Sequence, residues 1–407
     1  MSTKRRHILV SVITICMLVM STVAFAEDEI IIGWYAALTG PGASAGEAMV
    51  RGSELAIEQI NKNGGIDGVP LKLVTRDDKA QPAVAVTAIQ ELIQREKAVA
   101  IVGSYSSSCI MASMHVAQKF EVPLVGTNWR TECSTLGNEY YFRATGFDAL
   151  ACATAATFVV EHLGWEKIAI IHENDPFGTG GKDDFVAALK YWDMEPLIVE
   201  SYTRADKDFS AQISNIIKAD PDGVVFWGLY LEGALLIKQL RELGYEGNII
   251  SANSVIHRDF LEIAGEQARN NHMFVTPWIF ATTDPNVLEV LKLYEEKYGE
   301  PAHHDTVSRG WDAVHVIAEG MRTAEGFDPR NPNTPESRNA LKEAMHEIDG
   351  LELMGGTYYY AQSPEGTSGE GLKSLRVVAY IDGTAIAFDP GYTPAEGAVL
   401  SILEGYK

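Results

Sequence analysis

Apolar and polar residues alternate along this chain with two different periods. Continuous apolar runs of strand length occur at 30–36 and 98–104, and each has the composition of a strand buried on both faces of a sheet. The segment 48–65 instead carries apolar residues at helical spacing and ends in a glycine pair. A chain that alternates such strands and helices is expected to form a parallel sheet covered by helices on both faces.

The same alternation begins again after residue 148 and continues to residue 253. It predicts further strands with helices between them, at 167–173, 196–202, 222–228 and 248–253. Because the chain is longer than one ordinary core supports, the two runs predict two similar α/β lobes. Helices are then predicted at 285–299, 306–324 and 335–347, and the tail predicts antiparallel strands around an Asp382–Gly383 turn.

The first residues have the order of a secretory signal peptide. Three basic residues at 4–6 precede an apolar run at 8–20, and Ala24-Phe25-Ala26 then offers a small-x-small cleavage site. The apolar run is shorter than the roughly 20 residues that a membrane-spanning helix needs. We therefore expect residues 1–26 to be removed and the mature protein to be periplasmic.

Charge and motif content exclude several classes of function. The formal charge of −22 becomes about −25 when the signal peptide is removed, and such a surface repels nucleic acids and anionic lipid heads. Neither a Gly-x-Ser-x-Gly elbow nor a His-Glu-x-x-His helix occurs, and the cysteine spacing does not suit zinc. We expect no catalysis, no cofactor and no metal site.

Three cysteines remain in the predicted mature chain, namely Cys109, Cys133 and Cys152. In an oxidising compartment two of them can pair and one is left over. Cys109 lies at the start of a predicted helix and Cys133 in the loop after the next strand. The pair Cys109–Cys133 is therefore the candidate disulfide.

The ends of the predicted strands hold the candidate ligand contacts, because ligands of open α/β sheets bind outside the carboxyl ends of the strands. This rule selects Leu38 to Gly46, Tyr105 to Ser108, Thr127 to Arg130, Asp175 to Phe177, Leu229 to Tyr230, and Asn253 to Ser254. One serine as a helix cap would explain only one hydroxyl of Ser106, Ser107 and Ser108. A helix N-terminus with several hydroxyls instead favours a carboxylate or a similar anion. About half of the aromatic residues near these strand ends are expected in the core. The others would form an apolar wall against the ligand.

Long stretches of the chain resemble one family. The segments 30–78, 81–93 and 99–112, with "VGSYSSSC" in the last, are similar to the periplasmic solute-binding proteins of branched-chain amino acid transport. The segments 167–185 and 208–244 are similar to the second lobe of the same proteins. The resemblance implies the type I periplasmic-binding fold, in which two Rossmann-like lobes with parallel sheets are joined by three crossovers around a ligand cleft.

The resemblance also divides the chain. Crossovers are implied near Thr145–Gly146, Thr276–Pro277 and Tyr360. The first lobe would then contain 27–145 and 276–360, and the second lobe 146–275 and 361–407.

The resemblance carries ligand contacts onto numbered residues. The carboxylate-binding serine falls on Ser107, with Tyr105 and Ser106 beside it. The head-group loop becomes Asn128, Trp129 and Arg130, and the second lobe contributes Phe177 with Leu229 or Tyr230, while Trp278 adds to the apolar wall.

One departure concerns the ligand's ammonium group. Asn253 stands where amino-acid binders of the family place an acid, and an amide does not neutralise a buried cation. Arg130 adds a positive charge. Together the two changes favour an anion or a neutral amide over a zwitterion.

The implied function is a monomeric, non-enzymatic receptor that delivers a small carboxylate-bearing or amide ligand, such as an amino acid, to an ABC importer. Its partners would be an inner-membrane permease and the cytoplasmic ATPase of that permease. Two alternatives stay open: a sensor protein that hands its ligand to a membrane receptor, and an exported enzyme.

Overall fold

The computed structural model describes residues 29–40, 42–256, 258–266, 271–277, 284–381, 384–389 and 394–406. The predicted signal peptide, 1–26, lies outside the described residues. Within those ranges, every helix is too short or too polar to cross a bilayer.

The first sheet has five parallel strands in the order β2-β1-β3-β4-β5. Its strands are β1 (Ile30–Ala36), β2 (Leu71–Asp77), β3 (Ala100–Gly103), β4 (Leu124–Gly126) and β5 (Tyr141–Arg143). The helices between them are α1 (Ala43–Lys62), α2 (Pro82–Gln94), α3 (Ser107–Lys119) and the short α4 (Glu132–Thr135). The central strands β1 and β3 are buried because helices cover both faces of the sheet.

The second sheet has seven strands in the order β14-β13-β10-β9-β8-β6-β7. Its parallel strands are β6 (Ile168–Glu173), β7 (Ile198–Tyr202), β8 (Gly223–Trp227), β9 (Asn248–Ser251) and β10 (His272–Thr276). The helices among them are α5 (Asp148–Thr157), α6 (Pro176–Leu189), α7 (Ser210–Ala219), α8 (Tyr230–Glu242) and α9 (Arg258–Ala264). The sheet is completed by the antiparallel β13 (Arg376–Ile381) and β14 (Thr384–Asp389).

The remaining elements cover the two sheets. Between β10 and β13 the chain forms α10 (Pro285–Tyr298), α11 (Val307–Thr323), α12 (Pro335–His346) and a hairpin of β11 (Asp349–Leu353) and β12 (Gly356–Tyr359). Helix α11 packs on α1 and the first sheet, whereas the last helix, α13 (Glu396–Glu404), packs on α5 and α6. We call the first sheet with α1–α4 and α10–α12 the first lobe, and the second sheet with α5–α9 and α13 the second lobe.

The chain passes between the lobes at 144–147, between β10 and α10, and at 360–375. These passages lie beside the boundaries implied by the family resemblance, whose positions at the residue level stay a prediction. A buried ion pair links the end of β5 to the passage at 360–375, with Arg143 Nε 2.8 Å from Glu370 Oε1. The Tyr360 hydroxyl donates a 2.7 Å hydrogen bond to the Arg143 carbonyl in the same place.

Candidate ligand-binding site

A cavity of about 360 Å³ lies between the two lobes, at the carboxyl ends of both sheets. The first lobe lines it with Gly42, Ala80, Tyr105, Ser106, Ser107, Ser108, Trp129 and Arg309. The second lobe lines it with Asp175, Pro176, Phe177, Arg204, Ala205, Leu229, Tyr230, Leu231, Glu232 and Asn253. Its size is at the small end of the range of about 300–1,000 Å³ for small-molecule sites, which suits a small organic ligand.

The first turn of α3 forms one end of the cavity. Ser106 is the N-cap residue, but its side chain makes no capping hydrogen bond. Its Oγ lies 2.9 Å from Oγ of Ser108 instead, so both hydroxyls are held at the helix N-terminus. The backbone amides of Ser107 and Ser108 have no hydrogen-bond acceptor in the described part of the chain. This end of the cavity therefore offers unused donors and the positive end of a helix dipole, which suits a carboxylate.

Arg309 from α11 adds a positive charge beside these serines. Its side chain is buried, and its guanidinium lies 5.7 Å from the Tyr105 ring centre and 5.6 Å from that of Trp129. One of its terminal nitrogens donates to Asp305 Oδ2 at 3.1 Å, and the other donates to the Thr127 carbonyl at 3.1 Å. These contacts fix the guanidinium between two aromatic faces at the wall of the cavity.

Asp305 is the counter-ion of Arg309. Burial alone would raise the pKa of this carboxyl, but the Arg309 charge and a hydrogen bond from His304 outweigh it and lower the pKa. The pair is therefore ionised at neutral pH. Removal of either partner would leave a buried charge.

The second lobe presents acidic groups around Arg204. The Arg204 Nε lies 2.6 Å from Glu173 Oε1, and its Nη2 lies 2.7 Å from Asp175 Oδ2. Glu173 is fully buried, and burial together with the Asp175 charge raises its pKa. Glu232, in the first turn of α8, accepts a 3.0 Å hydrogen bond from the Ala205 amide.

The structure brings together most of the residues predicted to bind ligand. Those on the cavity wall are Tyr105, Ser106, Ser107, Trp129, Phe177, Leu229, Tyr230 and Asn253. Trp278 lies outside the described residues. Phe177, Leu229 and Tyr230 contribute apolar surface from the second lobe, opposite Tyr105 and Trp129 of the first.

Asn128 and Arg130 are not on the cavity wall, which corrects their predicted place. Asn128 is buried beneath the wall, where its amide accepts from the Tyr141 hydroxyl at 2.8 Å and donates to Cys133 Sγ at 3.2 Å. Arg130 pairs with Glu132 at 2.6 Å and donates to the Pro176 carbonyl, also at 2.6 Å. Arg130 therefore joins the two lobes at the edge of the cleft and does not face its interior.

The predicted disulfide between Cys109 and Cys133 is wrong, because both thiols are free, as is that of Cys152. The Cys133 sulfur accepts the hydrogen bond of Asn128 and does not bond to another sulfur. Burial raises the pKa of Cys109 to about 12 and that of Cys133 to about 11. Both groups are thus thiols at neutral pH, and a thiol is a poor nucleophile for disulfide exchange.

Three charged residues on the cavity wall were missed by the sequence analysis. Arg204 follows β7, so the rule of strand ends extended to that strand would have found it. Glu232 lies just beyond the selected pair at 229–230. Arg309 lies in the first turn of α11, a helix that does not follow a predicted strand, and no local pattern marks it. Among the described residues, no group of three or more His, Cys, Asp or Glu side chains is arranged to hold a metal ion.

Comparisons with known proteins agree with this architecture. The sequence profile of the family described as periplasmic binding protein matches residues 29–378. An amino acid binding protein of Pseudomonas aeruginosa is 33% identical over 316 residues, which are 76% of this chain and 83% of that protein. A Leu/Ile/Val-binding protein homolog of Brucella melitensis is 27% identical over 91% of this chain and 97% of that protein.

A solved structure shares the fold. It is the branched-chain amino acid transporter substrate binding protein LivJ of Streptococcus pneumoniae in complex with isoleucine. The TM-score is 0.76 at 23% identity, and the match covers 88% of this chain and 98% of that one.

Proposed function

The chain belongs to the periplasmic binding protein family, and on that premise we propose that it is the extracytoplasmic receptor of an ABC importer for a small amino acid or a related carboxylate or amide. The observation that carries the proposal is the cavity between the lobes, with a helix N-terminus and hydroxyls on one wall. The names of two relatives, an amino acid binding protein and a Leu/Ile/Val-binding protein homolog, support an amino acid as ligand.

The carboxylate of the ligand binds at the first turn of α3. The amides and hydroxyls of Ser107 and Ser108 donate to it, together with the hydroxyl of Ser106. Arg309 lies on the same wall, and its fixed guanidinium stabilises the negative charge across a cavity from which water is displaced.

The apolar part of the ligand lies against Phe177, Leu229 and Tyr230 of the second lobe. A ligand that contacts both walls has interactions in the closed state that the open state lacks. Binding therefore shifts the lobes toward the closed arrangement, and the permease recognises that arrangement. The receptor makes and breaks no covalent bond, and it releases the ligand unchanged.

Export follows from the predicted signal peptide at 1–26, and the mature receptor acts as a monomer in the periplasm. Its partners are a permease in the inner membrane and the cytoplasmic ATPase that drives it. These assignments rest on the family and on the N-terminal sequence pattern.

A ligand screen tests the proposal. The protein is unfolded, dialysed to remove any ligand, refolded and heated with leucine, isoleucine, valine, other amino acids, short amides, and aliphatic or aromatic carboxylates. A ligand at about 100 times its Kd stabilises by about 2.7 kcal/mol, which raises the Tm by several degrees. Chromatography after long incubation should recover the ligand unchanged. Failure of the whole panel to bind, or conversion of a ligand, would contradict the proposal.

A further inference from the structure

The second residue after β9 is a neutral amide. Asn253 is buried, begins a 3₁₀ turn and lines the cavity, and the family resemblance leads to the expectation of an acid there. If the ligand carries an ammonium group, another carboxylate must neutralise it, because a buried cation without a partner costs several kcal/mol.

The second lobe supplies such a carboxylate at a different position. Glu232 is 9% exposed and lines the cavity. Its Oε1 accepts the Ala205 amide at 3.0 Å, while its Oε2 has no hydrogen-bond partner in the part of the chain that the structure describes. A largely buried carboxylate on a cavity wall, with one oxygen unused, can accept a hydrogen bond from a ligand.

The charges around Glu232 do not balance. Glu173, Asp175 and Glu232 contribute three carboxylates, whereas Arg204 is the single guanidinium among them. Arg204 pairs directly with Glu173 and Asp175, so the charge of Glu232 is not paired within hydrogen-bonding distance. We call Asp175, Arg204 and Glu232 the acidic wall.

A purely structural role does not account for Glu232. An acidic residue in the first turn of a helix stabilises the helix dipole, but an exposed carboxylate does this without a desolvation cost. The hydrogen bond to Ala205 uses one of the two oxygens. An unused carboxylate oxygen on a residue of the cavity wall is explained by a cationic group that binds there.

The cavity is therefore bipolar. Its first-lobe end carries the α3 N-terminus and Arg309, and its second-lobe end carries the acidic wall. A simple anion would be attracted to one end and repelled by the other, whereas a zwitterion satisfies both.

We propose that Glu232 binds the ammonium group of the ligand, with Asp175 beside it, in place of the acid that Asn253 replaces. This inference rests on the proposed receptor function and narrows its ligand to an amino acid that binds as a zwitterion. It reverses the expectation from Asn253 and Arg130 alone, which favoured an anion or an amide.

A double-mutant cycle between protein and ligand tests the inference. Calorimetry measures the Kd of the amino acid that binds best among leucine, isoleucine, valine, threonine and alanine, and the Kd of its deaminated carboxylate, which is 4-methylpentanoate for leucine. Both are measured with the wild type and with Glu232→Gln, in which the amide oxygen can still accept from Ala205. Glu242→Gln, at the exposed end of the same helix, is the control.

We expect the wild type to prefer the amino acid over its deaminated counterpart by about tenfold or more, and Glu232→Gln to abolish that preference. The control variant Glu242→Gln should keep the wild-type preference for the amino acid. If Glu232→Gln weakens both ligands equally, or the wild type binds both equally, the inference is wrong and the receptor function stands. The wild-type comparison is informative even if the variant folds poorly. If no amino acid, carboxylate or amide of the ligand screen binds, the proposed function itself fails.

Discussion

The hydroxyl of Thr131 in the first lobe donates a 2.7 Å hydrogen bond to the Asp184 carboxylate of the second lobe. The other oxygen of Asp184 accepts a 2.8 Å hydrogen bond from Tyr406, which follows α13. Burial raises the pKa of Asp184 to about 6. A titratable group therefore lies at the contact between the lobes, and its charge changes in mildly acidic solution.

Stability should depend on pH through Asp184. Its folded pKa of about 6 exceeds its ordinary value of 3.8, so the folded state binds the proton more tightly. The resulting stabilisation is fully present below about pH 4 and is lost as the pH rises through about 6. Relative to Asp184→Asn, the wild type should lose about 2 kcal/mol between pH 4 and pH 7 in urea unfolding. The exposed neighbour variant Asp183→Asn should track the wild type, and a pH-independent difference for Asp184→Asn would refute the assignment.

The serine hydroxyls should matter for binding more than for folding. Because Ser106 makes no capping hydrogen bond, Ser106→Ala with Ser108→Ala should change the free energy of unfolding by less than about 1 kcal/mol. The Kd for a carboxylate ligand should rise about tenfold, since two donors to a charged group are lost. Thr334→Ala is the matched control, because the Thr334 side chain does cap α12 through the Ser337 amide. That variant should lose about 1 kcal/mol of stability and keep its affinity. If Ser106→Ala with Ser108→Ala instead lowers the stability and leaves the affinity unchanged, the two serines are ordinary helix caps.

Arg309 should be required for both binding and stability. Arg309→Met removes the positive charge from the cavity and takes from Asp305 its guanidinium partner, which should cost about 3–5 kcal/mol of stability. The double variant Arg309→Met with Asp305→Asn should recover most of the stability but none of the affinity, as measured by chemical unfolding and calorimetry. A double variant that binds as well as the wild type would exclude Arg309 from ligand binding.

The three cysteines of the predicted mature chain should all be free. A thiol reagent should react slowly with the folded protein, because Cys109, Cys133 and Cys152 are buried. In denaturant without a reductant, the same reagent should count three thiols in each mature chain. A count of one would restore the Cys109–Cys133 disulfide that the sequence suggested.

The long elements of the fold were predictable because their periodicity is unambiguous. The pattern predicts β1 at its observed bounds and β6 within one residue. Two other elements lack such a signal. β5 has only three residues, too few for a period, and α13 follows a tail whose alternation indicates strands.

The start of α6 shows where local rules fail. The segment 177–181 is rich in glycine, which is unfavourable in a helix, yet it lies within α6, which begins at Pro176. A side chain at Gly180 would overlap Arg130, and one at Gly181 would overlap the Trp227 ring. These glycines permit close packing between elements that are distant in sequence, which a local pattern does not reveal.

The candidate site was predictable as far as it follows the sheet. Tyr105, Phe177 and Asn253 come directly after or close to strands, and the ends of parallel strands meet at one edge. The charge distribution was not predictable, because Arg309 reaches the cavity from a helix of the other half of the chain. Arg130 was predicted to add the positive charge of the site, whereas Arg309 lies on the cavity wall, since spacing alone does not tell which guanidinium reaches the cavity.

The threading of the chain between the lobes sets the order in which the lobes can be completed. Helix α1 packs so closely on α11 that a side chain at Gly52 would overlap the Val307 carbonyl, so the first lobe is incomplete until residues 307–323 arrive. The sheet of the second lobe is complete only when β13 pairs with β10 and β14 pairs with β13. A chain that grows from its N-terminus therefore has no finished lobe until most of its residues are available. Neither lobe is therefore an independent N-terminal domain, because each is completed by a segment from the last third of the sequence.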